Sequence, residues 1–348
     1  MLFNKNFNKK SIFILFFLSL FISNKDLLST PWSGNADESW YNSVRTHFVL
    51  DSASQLAGLA DIVNRGDDDF EGKIIELRND IDIAKRNWIP IGTDSNPFQG
   101  VLDGTGHFIM NMRFDSTNAF SGLFGVVGNS AFICNLGITC NNIISGTDYV
   151  GGIAGKNEGT ISLCFNAGKV SGGQKSGGIV GYNSGHGGIN QCYNTGKIEN
   201  ATIASGGIAG DNRGMIDNCY NIGNVSGSSD IGCIVGQRSS AALLENCHYL
   251  EVTSISGVGN GSSTGTTAQT STALKSNGFI NVLQGSWQVD PNNFNSGYPV
   301  FLWQTRNPNP NYIINATVKN NAGGTITPSG NVFVCLEETF VFTPDECY

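Results

Sequence analysis

The stretch INQCYNTGKI occupies residues 189–198. A close copy, IDNCYNIGNV, follows at 216–225, and a looser one, ISLCFNAGKV, precedes both at 161–170. A second motif runs ahead of each copy. It reads GGIAG from 151, GGIVG from 177, GGIAG from 206 and GCIVG from 232, in steps of 26, 29 and 26 residues. The cysteines Cys164, Cys192, Cys219 and Cys247 step by 28, 27 and 28. Leu136, in FICNLG, sits 28 residues before Cys164 and fills the same slot, with SGLFG (121–125) ahead of it. About five units of roughly 27 residues therefore run from 121 to 250.

Each unit holds three short apolar segments between Gly/Asn turns, such as GGIAG, TISLC and GKVSG. β-Branched residues in short runs favour strands, and the glycine density opposes helix. A unit of this length with three strands is one coil of a parallel β-solenoid. Stacked coils lie about 4.8 Å apart, so equivalent residues form rows along the axis. Three rows are apolar: Ile153, Ile179, Ile208 and Ile234; Ile161, Ile189, Ile216 and Leu244; Val170, Ile198 and Val225. Two are asparagine, Asn157, Asn183 and Asn212, then Asn166, Asn194 and Asn221. Stacked amides can hydrogen-bond along such an axis. The spacing of three between Ile161 and Cys164 breaks strand alternation. It predicts a corner that lets both point inward.

The flanks predict covers for the ends of the solenoid, whose strand edges would otherwise lie open. DSASQLAGLADIVN (51–64) reads as a helix, with Ser52 and Gln55 as a capping box and Leu56, Leu59, Ala60 and Val63 as its apolar face. TALKSNGFINVL (272–283) reads as a second helix, and 251–271 as an exposed Gly/Ser/Thr-rich loop.

The chain has 348 residues and a formal charge of −8. Residues 1–23 read as an export signal, with Lys5, Lys9 and Lys10 ahead of the apolar run SIFILFFLSLFIS. No A-x-A-like site follows, which keeps an uncleaved anchor as the alternative. Losing the three lysines takes the charge to −11. An acidic body without a Lys/Arg-rich run excludes nucleic acid as a partner. Residues 24–48 are expected to be a linker. The expected location is secreted or cell-surface.

The GGIAG-x-N-x-G-x-I-x-x-C-[FY]-N-x-G-x-V units resemble the GLUG motif of bacterial surface and secreted proteins. Residues 56–125 are similar to the segment that precedes such repeats, and GYPVFLWQ (297–304) to the segment that closes them. The resemblance covers about residues 50–304. It implies an all-β, right-handed parallel β-helix over 49–304 with short flanking helices, and no single activity. The tail, 305–348, resembles part of an internalin-type B repeat, a small β module of bacterial surface proteins, and ends where such a module still needs strands.

The chemistry-bearing residues divide into three groups. The cysteines come first. One per coil gives a line of thiols, without the CxxC pairs or convergent histidines of a zinc site. In-register side chains point the same way, which is poor geometry for disulfides. Cys164, Cys192, Cys219 and Cys247 are therefore read as a buried structural ladder, beside Asn166, Asn194 and Asn221. Cys335 and Cys347 form a candidate disulfide, and Cys134 with Cys140 another. The second group is acidic. Parallel β-helices include polysaccharide lyases and glycosidases, and glycosidases need two acids about 5–9.5 Å apart. Asp217 and Glu245 share an outward slot on adjacent coils and are the catalytic candidates. The third group is aromatic. Phe165, Tyr193, Tyr220 and His248 follow the cysteines, so they should face outward as an exposed binding stripe.

No HExxH, GxSxG or P-loop motif occurs, and no metal or cofactor is implied. The expectation is a monomeric, non-catalytic, adhesin-like scaffold that binds a host or cell-surface protein or a polysaccharide. The alternative is a carbohydrate-active enzyme, which a groove lined by two or more acids and a base would favour.

Overall fold

The computed structural model describes residues 32–304, apart from 115–116, 252–253 and 292, and the backbone of four strands between 313 and 344. The expected export segment and the candidate Cys335–Cys347 pair lie outside the described residues. The chain divides after residue 309. Its C-terminal unit pairs Ile313–Ala316 with Gly330–Phe333, and Gly324–Thr327 with Val341–Pro344, both antiparallel.

The main body is a parallel β-solenoid. Each coil carries five short strands where three apolar segments are expected. In one coil these are Tyr149–Gly151, Ala154–Asn157, Thr160–Ser162, Phe165–Asn166 and Lys169–Gly172. Two of the apolar segments are each bent into two strands. The second of these bends is the predicted corner. Asn135, Leu163, Gln191, Asn218 and Asn246, one residue before the Leu136 or Cys slot, all have left-handed backbones with φ of 45–54°. That turn reverses the side-chain alternation, so Ile161 and Cys164 are both fully buried.

The Ile161 row runs in register through Ile133, Ile189, Ile216 and Leu244. It extends back to strands His47–Leu50, Ile74–Leu77, Val101–Met110 and Phe132–Ile138. Eight rungs from His47 to Glu245 make seven turns, with the first three in a leader that carries neither GG nor Cys motifs. Burying each Ile or Leu contributes about 1.5–3 kcal/mol.

The asparagine rows are hydrogen-bonded ladders. Asn157 Nδ2 donates to Asn183 Oδ1 and Asn183 Nδ2 to Asn212 Oδ1, both at 2.8 Å. Asn166 donates to Asn194 at 2.9 Å and Asn194 to Asn221 at 2.8 Å. The second glycine of each GG pair makes room for the latter ladder. A Cβ on Gly178 would lie 2.1 Å from the Gly207 carbonyl oxygen and 2.4 Å from Asn194 Cγ. Cys233 occupies this glycine slot in the coil where Tyr249 replaces the asparagine, paired with Asn221.

Helix α1 (Ala53–Arg65) crosses from the first rung to the second. Ser52 Oγ accepts from Gln55 N, and Gly66 closes the helix at φ 78°. Leu56, Leu59, Ala60 and Val63 are buried as the pattern predicts, joined by Ile62.

Most of the described part of the expected linker is exposed, but it is anchored at its start. Trp32 is buried edge-on against Trp88, with ring centroids 6.0 Å apart, and its carbonyl accepts from Arg86 Nε. The expected helix at 272–283 is two short ones, α2 (Ser271–Leu274) and α3 (Asn277–Val282), because Ser276 caps a second start. Neither sits over an open end. Leu274 and Phe279 pack on the outer side of the solenoid. No helix among the described residues is long and apolar enough to cross a membrane.

Candidate functional site

The outward row that follows the cysteines is covered. Phe165, Tyr193 and Tyr220 point away from the core as expected, and they stack 4.9 and 5.0 Å apart. Each is at most 1% exposed. A strap of residues 270–304 lies over them. Tyr193 Oη donates to Gln304 Oε1 at 2.9 Å, and Tyr220 Oη donates to the Pro299 carbonyl. Phe301 lies 5.1 Å from Tyr193 and Trp287 lies 5.4 Å from Tyr220. His248 stands edge-on to Phe279 at 5.0 Å. The expected exposed stripe is thus a second hydrophobic core, separate from the one inside the coils. Outward direction alone does not expose a side chain when a later segment is aromatic enough to cover it.

The ladder cysteines are free thiols and fully buried. Burial, with the neighbouring thiols, pushes Cys164 and Cys219 well above the usual thiol range, and burial pushes Cys247 up to about 12. Such thiols are poor nucleophiles. Cys134 is free as well, while Cys140 is disulfide-bonded, so the Cys134–Cys140 pair does not form. Among the described residues no three His, Cys, Asp or Glu side chains gather where they could hold a metal ion.

Asp217 and Glu245 do come together, in register on neighbouring rungs. Burial raises the Asp217 carboxyl above its ordinary range, and the Glu245 charge adds to the rise against the hydrogen bond from Asn218 Nδ2. The native state therefore favours protonated Asp217. Stability from this site is present at low pH and lost as pH rises through the carboxylate range. Asp217→Asn should stabilise the protein at pH 7 by about 0.5 kcal/mol, the scale of a like-charge cross-strand pair. Thermal melts should show the gain disappear below about pH 3, where both carboxyls are protonated.

A groove that sequence reading missed lies on another side. Phe120 and Tyr149 are partners on adjacent first strands of the coil. Lys156, Tyr182 and Asp211 are partners on adjacent second strands. With Asp94, Glu158, Ser184 and Arg213, all of these except Asp211 line a shallow cavity of about 430 Å³, and buried Asp211 reaches it only through its contact with Arg213. Lys156 Nζ lies 2.7 Å from Asp94 and 3.0 Å from Glu158. Burial works against its charge, but the two carboxylates hold the ammonium above the ordinary lysine range. The signal was available in the variable residue of GKN, GYN and GDN, which stacks as Lys156, Tyr182 and Asp211.

No family model matches the chain. Over 121 residues, 30% of its length, it is 35% identical to halomucin of Haloquadratum walsbyi, a match to 1% of that protein. Over 135 residues, 37% of its length, it is 28% identical to a candidate Gly-rich membrane protein of Evansella cellulosilytica, a match to 16% of that protein. The chain thus spans a small part of either relative. Its fold resembles the crystal structure of a candidate immunoglobulin A1 protease from Bacteroides ovatus, with a TM-score of 0.54 and 22% identity, over 74% of this chain and 92% of that one. At that identity the likeness is one of fold.

Proposed function

We propose that the chain is an exported, non-catalytic scaffold of the cell surface, adhesin-like and of the GLUG-motif type. The solenoid holds its binding side rigid, and the C-terminal β unit serves as a spacer. The observation that carries this reading is the pairing of the groove acids. Asp94 and Glu158 are both tied to the Lys156 ammonium rather than flanking an open space as two unpaired acids. The export-like segment and the membrane-protein name of the Evansella cellulosilytica relative support the location.

The alternative, a polysaccharide lyase or glycosidase, has one observation in its favour, the raised Asp217 carboxyl beside Glu245. The readings separate in one experiment. Purified protein is incubated with a polysaccharide panel and with immunoglobulin A1, and reducing ends and peptide fragments are measured. Antibody labelling of intact cells is scored in parallel. The scaffold reading expects surface labelling and no turnover. Turnover that Asp217→Asn abolishes would establish the enzyme instead.

A further inference from the structure

We infer that the groove at Phe120, Tyr149 and Tyr182 is an oligosaccharide-binding site, which goes beyond the scaffold reading. Its base is a rigid column. Phe120 stacks on Tyr149 with centroids 5.5 Å apart and planes 19° apart. Tyr149 lies 5.3 Å from Tyr182, and the Arg213 guanidinium lies 5.3 Å from the Tyr182 centroid. One face each of Phe120 and Tyr149 is taken up by the stack, and Tyr182 leans on it at 41°, so the groove presents ring edges and the two tyrosine hydroxyls. Neither the Tyr149 nor the Tyr182 hydroxyl has a protein partner among the described residues.

Its charges are shared unequally. Asp94 and Glu158 have one cation between them, Lys156. Lys175 and Arg213 have one anion between them, Asp211, at 2.6 and 3.5 Å. The Asp94 and Glu158 end of the groove therefore has carboxylate oxygens to spare, and at the other end Arg213 has guanidinium N–H donors to spare. The register places these ends two coils apart, with Lys156 paired to Tyr182 and Tyr182 to Asp211. The groove runs along the axis.

Sugar hydroxyls both donate and accept at closely spaced positions, which suits fixed acceptors, hydroxyls and fixed donors in a line. A nucleic acid meets Asp94, Glu158 and a chain of formal charge −8. A carboxylated sugar gains an ion pair at Arg213, which is half exposed.

The full chain is run by affinity electrophoresis through gels containing xylan, polygalacturonate or gelatin. Retardation by both polysaccharides is expected, and it should be stronger with polygalacturonate. Tyr182→Phe, which removes only the hydroxyl, should weaken retardation about fivefold, and Arg213→Gln about tenfold for polygalacturonate. Thermal melts confirm that both variants fold. Three results would overturn the assignment: no retardation by either polysaccharide, retardation that both variants leave unchanged, or retardation by gelatin alone, which would indicate a peptide site. Shortening of a bound polysaccharide would sink the scaffold reading while leaving the groove assignment intact.

Discussion

Asn194→Ala should destabilise the solenoid by about 3–6 kcal/mol, because it orphans two or three buried polar groups at about 1–3 kcal/mol each. The side chain makes four hydrogen bonds. It accepts from Asn166 Nδ2 and Gly196 N, and it donates to Asn221 Oδ1 and the Gly196 carbonyl. All the groups involved are buried, and none can turn to water. The loss also falls in the middle of a nearest-neighbour stack, where one weak interface uncouples the two sides. Urea unfolding should therefore shift to lower midpoint and split into two transitions. Asn221→Ala is the internal comparison. Asn221 ends the ladder and bonds only Asn194 and Gly223, so its loss should cost less. A loss below about 1 kcal/mol at Asn194 would mean that water or backbone relaxation replaces the ladder.

The same ladder explains why so much of the fold was legible. A repeat turns one sequence position into a row, and a row states its environment more clearly than one residue does. Ile161, Ile189 and Ile216 could be interior only together, and the amides of Asn166, Asn194 and Asn221 could be satisfied only by one another. The spacing of three between Ile161 and Cys164 demanded a corner, and Leu163 supplies it at φ 54°. Rungs before Phe132 carry no such copies, so their register had no internal evidence. Function was harder for the same reason. An aromatic residue once per coil looks the same whether it meets a ligand or a strap, and the strap begins 50 residues beyond Tyr220. The groove sits in the positions that vary between repeats, which a search for repetition passes over.

Phe301→Ala should detach the strap without unfolding the coils. Phe301 is fully buried and lies 4.5 Å from Trp287, 5.1 Å from Tyr193 and 5.4 Å from Trp303. Removing such a ring costs about 3–5 kcal/mol. The strap rests on outer faces, and its core is distinct from that of the coils, so it can open as a unit of its own. Tyr193 and Tyr220 report the event. Burial pushes both phenols well above the usual tyrosine range, so in the native protein they stay protonated. Stability from that protonation is present below about pH 10 and lost as pH rises beyond it. In Phe301→Ala, ultraviolet titration should show two additional tyrosines ionising near pH 10, with dye binding to the bared rings. Far-ultraviolet circular dichroism should keep its β signal. Loss of that signal together with the strap would instead make the strap part of one cooperative unit with the solenoid. An unchanged tyrosine titration would mean that Trp287 and Gln304 hold the cover in place without Phe301.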